Sequence, residues 1–174
     1  MLLRKAVIEY PEIYGRVAIL GCNFADAYSD IRFKEFSEVG ADAYEDFGAK
    51  IYDILTGDQP AFFRKNLYEV GVIYSPYHIL GNHWVALEIN LLHWCIYVCD
   101  CQPGLLTDAK LLDLLKPLSC MLPHVLRLHG KHSRLGDNLT KQFKVARKTN
   151  CPINIDGYVF IFYQFIYKFI MFQI

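Results

Sequence analysis

The chain lacks an excess of charge of either sign: Lys and Arg together number 18, and Asp and Glu also number 18. A protein that binds nucleic acid or an anionic membrane surface through its overall electrostatic field needs a surplus of basic side chains. The balance of charge therefore supports neither kind of partner, and we expect no nucleic acid and no membrane to be bound.

Long apolar runs are also scarce. The start, "MLLRKAVIEYPEIYG", has no apolar core of about 7–15 residues after its basic residues, so a secretory signal is not expected. The ending, residues 158–174, is apolar but carries Lys168 and two glutamines within 17 residues. A membrane span needs about 20 mostly apolar residues. We therefore predict a buried element here, and we expect the protein to act in the nucleus or the cytoplasm.

Paired cysteine motifs are absent as well. The six cysteines include no CxxC pair, and no second group of ligands stands at the spacing of a zinc site. A metal site is therefore not predicted, and no cofactor is expected. Without a secretory signal we expect all six to be reduced thiols. The cysteines are Cys22, Cys95, Cys99, Cys101, Cys120 and Cys151.

The chain does have enough apolar residues for a core. Of its 174 residues, 53% are hydrophobic and 15% are aromatic, which excludes a disordered chain and predicts one packed domain over residues 1–174. We expect this domain to be a monomer. Apolar residues recur at helical spacing over residues 33–55, and residues 67–75 are typical of a strand.

The second half contains a leucine-rich segment between two polar stretches. Thr107 is the predicted N-cap of a helix over residues 108–130, and Pro117 and Pro123 are expected to interrupt that helix. Residues 130–150 contain six Lys or Arg against one Asp. They are predicted to form a solvated loop around a short "FKV" strand.

Residues 81–100, "GNHWVALEINLLHWCIYVCD", have the alternation of two short strands. With a turn centred on Leu91-Leu92, one face of the predicted hairpin is apolar and has His83 beside Asp100 at its open end. Opposed residues on one face have Cβ atoms about 4.5–5.5 Å apart. The expected pairs are 83 with 100, 85 with 98, and 87 with 96.

A carboxylate at that distance can accept a proton from one nitrogen of the imidazole and leave the other nitrogen as a base. The arrangement is therefore typical of a site for acid–base chemistry. The alternative is that His83 only ends a strand and that Asp100 only forms a turn, and both interpretations fit the two residues taken alone.

The sequence around the pair resembles a known family. His83-Trp84 and the run Tyr97-Val98-Cys99-Asp100 are similar to the hairpin that holds the base and the acid in the ubiquitin-like-protein-specific proteases, cysteine peptidases that process SUMO-type modifiers. The segments "LKPLSCMLPHVLR" and "NCPINIDGYVFIFYQFI" resemble later parts of the same family, particularly its plant and transposon-associated members. The resemblance covers about residues 68–170 and implies an α+β, papain-like or adenain-like fold with a central, mostly antiparallel sheet flanked by helices.

This resemblance implies a role for each matching residue. His83 corresponds to the base, Asp100 to the acid that orients it, and Trp84 to a wall of the tunnel for the Gly-Gly tail of the modifier. In an alignment without a gap the nucleophilic cysteine of the family falls at Gly157, whereas an alignment with one residue deleted leaves it missing just before Gly157; this chain has no cysteine there in either case. Asn154 is a possible oxyanion donor. The resemblance also implies a buried helix from residue 158 to about 170.

Three functional hypotheses remain open from the sequence. The first is an inactive homologue, either a degenerate copy or a binder of ubiquitin-like modifiers of the SUMO type. The second is an active thiol isopeptidase in which another cysteine, such as Cys151, has replaced the missing nucleophile. The third is an interaction domain in which His83 and Asp100 are purely structural.

Overall fold

The structure is a computed structural model and describes residues 16–26, 28, 30–40, 70–79, 83–129 and 141–151. Five strands, three helices and one short 3₁₀ turn lie within these ranges. In chain order they are β1 (Val17–Ile19), α1 (Cys22–Asp26), α2 (Asp30–Val39), β2 (Val72–Ile79), β3 (His83–Asn90), β4 (Cys95–Asp100), the 3₁₀ turn (Pro103–Leu105), α3 (Asp108–His129) and β5 (Lys144–Arg147).

The five strands form one sheet in the order β1-β2-β3-β4-β5. The central pairs, β2 with β3 and β3 with β4, are antiparallel, whereas the outer pairs, β1 with β2 and β4 with β5, are parallel. The sheet is thus mixed: its centre is antiparallel, as the resemblance implies, whereas both of its edge pairs are parallel.

The turn between β3 and β4 differs from the predicted one. It comprises four residues, Leu91–Trp94, because the Asn90 side chain bends the chain: its Oδ1 accepts hydrogen bonds from the backbone N–H groups of Leu92 (3.1 Å) and His93 (2.8 Å). The predicted register is therefore wrong by two residues, and Val85 rather than His83 lies opposite Asp100. A slip of two leaves every side chain on its predicted face, whereas a slip of one would reverse them all.

Strand β2 also differs from its prediction, since it runs to Ile79 and includes Pro76. Proline lacks an N–H group and is tolerated in a strand where that side of the backbone has no partner. The backbone of Tyr74 faces β1, because its carbonyl accepts a bond from the Leu20 N–H at 2.9 Å. Pro76 has the same orientation two residues later, opposite the end of β1, so its missing N–H breaks no bond of the sheet.

Helix α3 is continuous over 22 residues and contains both Pro117 and Pro123, so the predicted interruptions are wrong. A proline in a helix removes the hydrogen bond to the carbonyl four residues earlier. For Pro123 that carbonyl belongs to Ser119, and it accepts a bond from the Phe143 N–H at 3.0 Å instead. The helix thus tolerates this proline because the freed carbonyl binds the segment that leads into β5.

Thr107 caps the start of α3 as predicted, since its Oγ1 accepts a hydrogen bond from the Lys110 N–H at 3.3 Å. Removing an N-cap hydroxyl typically costs about 1 kcal/mol. We expect Thr107→Ala to lower the free energy of unfolding by about that amount, measured by urea denaturation. Thr107→Ser keeps the hydroxyl and serves as the control; equal losses in both variants would contradict the capping role.

The predicted helix over 33–55 begins earlier than expected, and α2 ends at Val39. Gly40 follows with φ of 81°, a left-handed conformation that glycine adopts at little cost, and its N–H donates to the Phe36 carbonyl at 3.0 Å. The rest of the prediction, from residue 41 onward, lies outside the described residues.

The core lies between α3 and the face of the sheet that carries His83. Tyr77 joins the two layers, since its hydroxyl donates to the Leu114 carbonyl at 3.3 Å. Buried α3 residues recur at helical spacing and meet the buried residues of β3 and β4. They are Leu111, Leu115, Leu118, Leu122 and Leu126 on the helix, and Val85, Leu87, Ile89, Ile96 and Val98 on the strands.

Strand β5 begins one residue later and ends two residues later than predicted, over Lys144–Arg147, and it pairs with β4 rather than lying in a solvated loop. The preceding Phe143 is buried and stacks on Trp94, with ring centroids 4.0 Å apart. The Trp94 indole also donates to the Lys141 carbonyl at 2.7 Å. These contacts fix the start of β5 against the turn between β3 and β4.

Within the described ranges, no helix is both long enough and apolar enough to cross a membrane. The predicted buried helix at 158–170 lies outside those ranges.

Candidate active site

His83 and Asp100 are in direct contact on the core face of the sheet. The His83 Nε2 lies 2.9 Å from the Asp100 Oδ1, and the two residues are only 4% and 3% exposed. His83 begins β3 and Asp100 ends β4, and they occupy diagonal rather than opposed positions. Diagonal neighbours are about 7–8 Å apart at the backbone, a gap that an imidazole can cross. The predicted contact is therefore present, although the predicted register is wrong.

The Asp100 carboxylate has hydrogen-bond donors on both of its oxygens. In addition to His83, its Oδ1 accepts a bond from the Gln102 backbone N–H at 2.9 Å. Its Oδ2 accepts a bond from the Arg147 Nη1. A buried carboxylate without such partners would be strongly unfavourable. These three donors compensate for the burial of the Asp100 carboxylate.

The contact with Asp100 determines which nitrogen of His83 is available for chemistry. A carboxylate can only accept, so the neutral ring carries its proton on Nε2, and Nδ1 keeps its lone pair. A base of this kind could remove a proton from a thiol or a water molecule placed beside Nδ1. The arrangement therefore suits acid–base chemistry, with Asp100 orienting the ring.

Arg147 connects Asp100 to the start of α3. Its Nε donates to the Asp108 Oδ1 at 2.9 Å, and its Nη2 donates to the Leu106 carbonyl at 2.9 Å. Burial lowers the pKa of the Arg147 guanidinium, but the hydrogen bonds and charges of Asp108 and Asp100 outweigh this and raise it overall. The guanidinium is thus a permanent cation beside the buried acid.

The sequence interpretation missed Arg147, because the residue lies in a stretch taken for a solvated loop. A signal was present: Phe143, Val145 and Arg147 alternate, and Val145 and Arg147 occupy the same face as Ile96 and Val98. Extending the predicted "FKV" strand by two residues places Arg147 on the face of Asp100.

Trp84 lies on the other face of the sheet, because neighbouring residues of a strand point to opposite sides. Its ring is half-buried and lies 4.5 Å from the ring of His78, its partner across β2 and β3. A role as a tunnel wall stays a prediction.

A second ion pair occupies this opposite face. The Lys148 Nζ lies 2.6 Å from the Glu88 Oε2, which also accepts a bond from the Tyr74 hydroxyl at 3.2 Å. Lys148 directly follows Arg147 in the chain, so two adjacent basic residues bind acids on opposite sides of the sheet.

Cys99 and Cys151 form a disulfide, so the expectation of six reduced thiols is wrong. The two cysteines are separated by 52 positions, but β5 runs beside β4 and brings residue 151 back to the level of residue 99. Cys99 pairs with Ala86 and lies on the face opposite to His83. Cys151 is therefore bonded to another sulfur on the far side of the sheet, which argues against the hypothesis that it replaces the missing nucleophile.

Three of the four free cysteines are poorly suited to attack a substrate. Burial raises the pKa of the Cys95, Cys101 and Cys120 thiols. A thiol with a raised pKa has a smaller thiolate fraction at neutral pH, and the thiolate is the nucleophile. In the part of the chain that the structure describes, no group of His, Cys, Asp and Glu could hold a metal ion. Gly157 and Asn154 lie outside that part.

A mixed sheet flanked by helices, with a buried His–Asp pair on adjacent strands, is typical of the α+β cysteine peptidases. Residues 6–158 match the Ulp1 protease family, C-terminal catalytic domain. The match covers most of the chain, and the protein belongs to this family. Its fold is the α+β cysteine peptidase fold that the resemblance implies.

Solved structures of Ulp1 are similar to this chain at low identity. The C-terminal Ulp1 protease domain in complex with Smt3, the yeast ortholog of SUMO, matches with a TM-score of 0.49 and 15% identity, covering 82% of this chain and 51% of that one. The SUMO protease Ulp1 with its catalytic cysteine oxidized to a sulfinic acid matches with a TM-score of 0.44 and 15% identity, covering 79% and 57%. The chain thus spans about half the length of these structures. No curated protein matches the chain.

Proposed function

We propose that this chain is a non-cleaving member of the Ulp1 family that binds a SUMO-type modifier through the tail of the modifier. One observation carries the proposal: the His83–Asp100 pair is buried and bonded at 2.9 Å, in a chain whose sequence has no cysteine after Cys151. The base and the acid are thus present, whereas the position of the nucleophile holds Gly157.

The chemistry of the family explains why this loss is severe. The thiolate forms the bond to the substrate carbonyl, and the base only transfers protons to and from it. A base without a nucleophile can at best activate water in a site shaped for a thiol. Loss of a triad member can leave roughly 10³–10⁴-fold acceleration over water, but this remaining acceleration depends on an intact oxyanion hole. Asn154 is the proposed donor there, and its amide reaches less far than that of glutamine.

The proposed partner is the C-terminal tail of a ubiquitin-like modifier, with Trp84 as a wall of its tunnel. The half-buried ring of Trp84 supports this assignment, since aromatic residues of this kind dominate binding at protein interfaces. The proposal requires no cofactor and no nucleic acid, and it concerns a monomer in the nucleus or the cytoplasm.

We expect the protein to bind a SUMO-type modifier but to leave SUMO-type conjugates uncleaved. Calorimetry measures the binding, and gel analysis of a conjugate during prolonged incubation measures the cleavage. Trp84→Ala should weaken binding by about 30-fold, the equivalent of ~2 kcal/mol for an interface hot spot. His78→Ala is the control. It removes the ring that packs on Trp84 but keeps the Trp84 ring, so it shows whether lost packing alone weakens binding.

Cleavage by the unmodified chain would show that the proposal is wrong. Absence of both binding and cleavage would instead support the interaction-domain hypothesis, in which His83 and Asp100 serve the fold alone.

A further inference from the structure

We propose that Arg147 is a positioning residue, which fixes the Asp100 carboxylate and, through it, the orientation and tautomer of His83. The inference deepens the proposed function, because it concerns the same base and acid, but its test requires neither a modifier nor cleavage.

The contacts of Arg147 come from three different segments of the chain. The guanidinium binds Asp100 at the end of β4, the Leu106 carbonyl just after the 3₁₀ turn, and Asp108 at the first position of α3. Three donors on a rigid planar group therefore hold the position of Asp100 relative to the helix as well as to the sheet.

The two oxygens of the Asp100 carboxylate bind different donors, and Arg147 is the donor on Oδ2. Oδ1 accepts bonds from His83 and from the Gln102 N–H, whereas Oδ2 accepts one from Arg147. With both oxygens held, the carboxylate cannot rotate about its Cβ–Cγ bond. If Arg147 is lost, Oδ2 loses this donor in a side chain that has no exposed surface. Rotation toward another donor then becomes favourable, and the contact with His83 weakens.

Strand pairing holds the backbone of Arg147 in place. Val98 pairs with Arg147 in the parallel ladder of β4 and β5, two residues before Asp100. The start of β5 is in turn fixed by the bond from Phe143 to the Ser119 carbonyl. The guanidinium therefore approaches Asp100 from a rigid strand.

Lysine cannot reproduce this arrangement. An ammonium group is a compact point charge on a flexible stem, without the planar fork that donates along three fixed directions. Arg147→Lys keeps the charge but loses the geometry, and Arg147→Gln loses both. The two variants separate the effect of charge from the effect of position.

The test is a ¹⁵N NMR measurement of the His83 ring in the full chain, at a pH where the ring is neutral. The His83 signals are assigned by their loss in His83→Gln. In the wild type we expect two well-separated ring-nitrogen shifts, with the proton on Nε2. In Arg147→Gln we expect the two shifts to move toward each other as the tautomers mix, and in Arg147→Lys we expect a smaller movement in the same direction.

Lys148→Gln is the matched control. It removes a neighbouring cation and an ion pair of the same type, with Glu88, on the opposite face of the sheet. It should change stability in urea denaturation but leave the His83 shifts unchanged. If Arg147→Gln lowers stability while the His83 shifts stay as in the wild type, Arg147 is merely structural and the inference is wrong. Because the measurement uses no modifier, the outcome does not depend on whether the chain binds or cleaves one.

Discussion

Replacement of Gly157 by cysteine is expected to create a thiol that reacts covalently with a SUMO vinyl sulfone probe, where the unmodified chain forms no adduct. The expectation rests on the buried His83–Asp100 pair, which supplies the base and its orienting acid. In the family that the chain belongs to, the nucleophile is expected at the start of the last helix, where the helix dipole and a nearby imidazolium lower the pKa of a thiol. A second variant, with cysteine inserted between Asp156 and Gly157, covers the other alignment of the motif.

The role of His83 is tested in the same background. His83→Ala combined with Gly157→Cys should reduce the rate of adduct formation about 10²–10⁴-fold, the usual contribution of a positioned base. Gly157→Ser is the matched control, because it adds a side chain of similar size without a thiol. Intact mass spectrometry shows whether an adduct forms, and peptide mass spectrometry after digestion shows which residue carries the probe.

Two outcomes would contradict this account. If the unmodified chain forms an adduct that Cys151→Ser abolishes, the nucleophile has moved and the chain is an active thiol isopeptidase. If neither cysteine variant reacts although both are folded, the His83–Asp100 pair does not serve a nucleophile at this position.

Loss of the Cys99–Cys151 disulfide is expected to lower the free energy of unfolding by up to about 4 kcal/mol. The bond joins residues 52 positions apart. Opening a loop of that length restores roughly 4 kcal/mol of entropy to the unfolded chain at 25 °C in the chain-entropy model. Domains commonly have only about 5–15 kcal/mol of stability in total. The disulfide would thus contribute a large share of it.

Urea denaturation with and without a reductant measures this effect, and Cys99→Ser should reproduce the reduced state. Cys101→Ser is the control, since Cys101 lies two residues further along the chain and is a free thiol. In the Cys99→Ser background the reductant should have no further effect. If alkylation of the unfolded, unreduced protein modifies all six cysteines, the bond is absent in solution and the sequence-based expectation of reduced thiols holds.

The hairpin shows that sequence periodicity predicts the face on which a side chain lies but not the register of the strands. Alternation placed His83 and Asp100 on one face, and the contact exists because a slip of two residues preserves faces. The register itself depends on the side chain of Asn90, which bonds two backbone N–H groups and lengthens the turn. Such a local competition between side chain and backbone is not visible in a pattern of apolar residues.

The other missed features join segments that are distant in sequence. Cys151 meets Cys99, and Arg147 meets Asp100, only because β5 returns to the edge of β4 after the whole of α3. The prediction that Pro123 interrupts α3 is wrong for the same reason, since the Ser119 carbonyl that the proline frees accepts a bond from Phe143, outside the helix. Local propensity predicts elements, but it does not show which distant groups will satisfy a freed carbonyl or a buried carboxylate.

The bond from Phe143 to the Ser119 carbonyl has a consequence for the order of assembly. Strands β2, β3 and β4 are joined by short connections and can pair early, because closing a short loop costs little entropy. We expect β5 to pair later, since its pairing with β4 closes a loop that contains the whole of α3, and the Ser119 carbonyl that anchors it is held in position only once α3 has formed. The strand that carries Arg147 is therefore expected to join after β2, β3 and β4 have paired. Until then we expect Asp100 to be hydrated, and the arrival of Arg147 then replaces water on one of its oxygens.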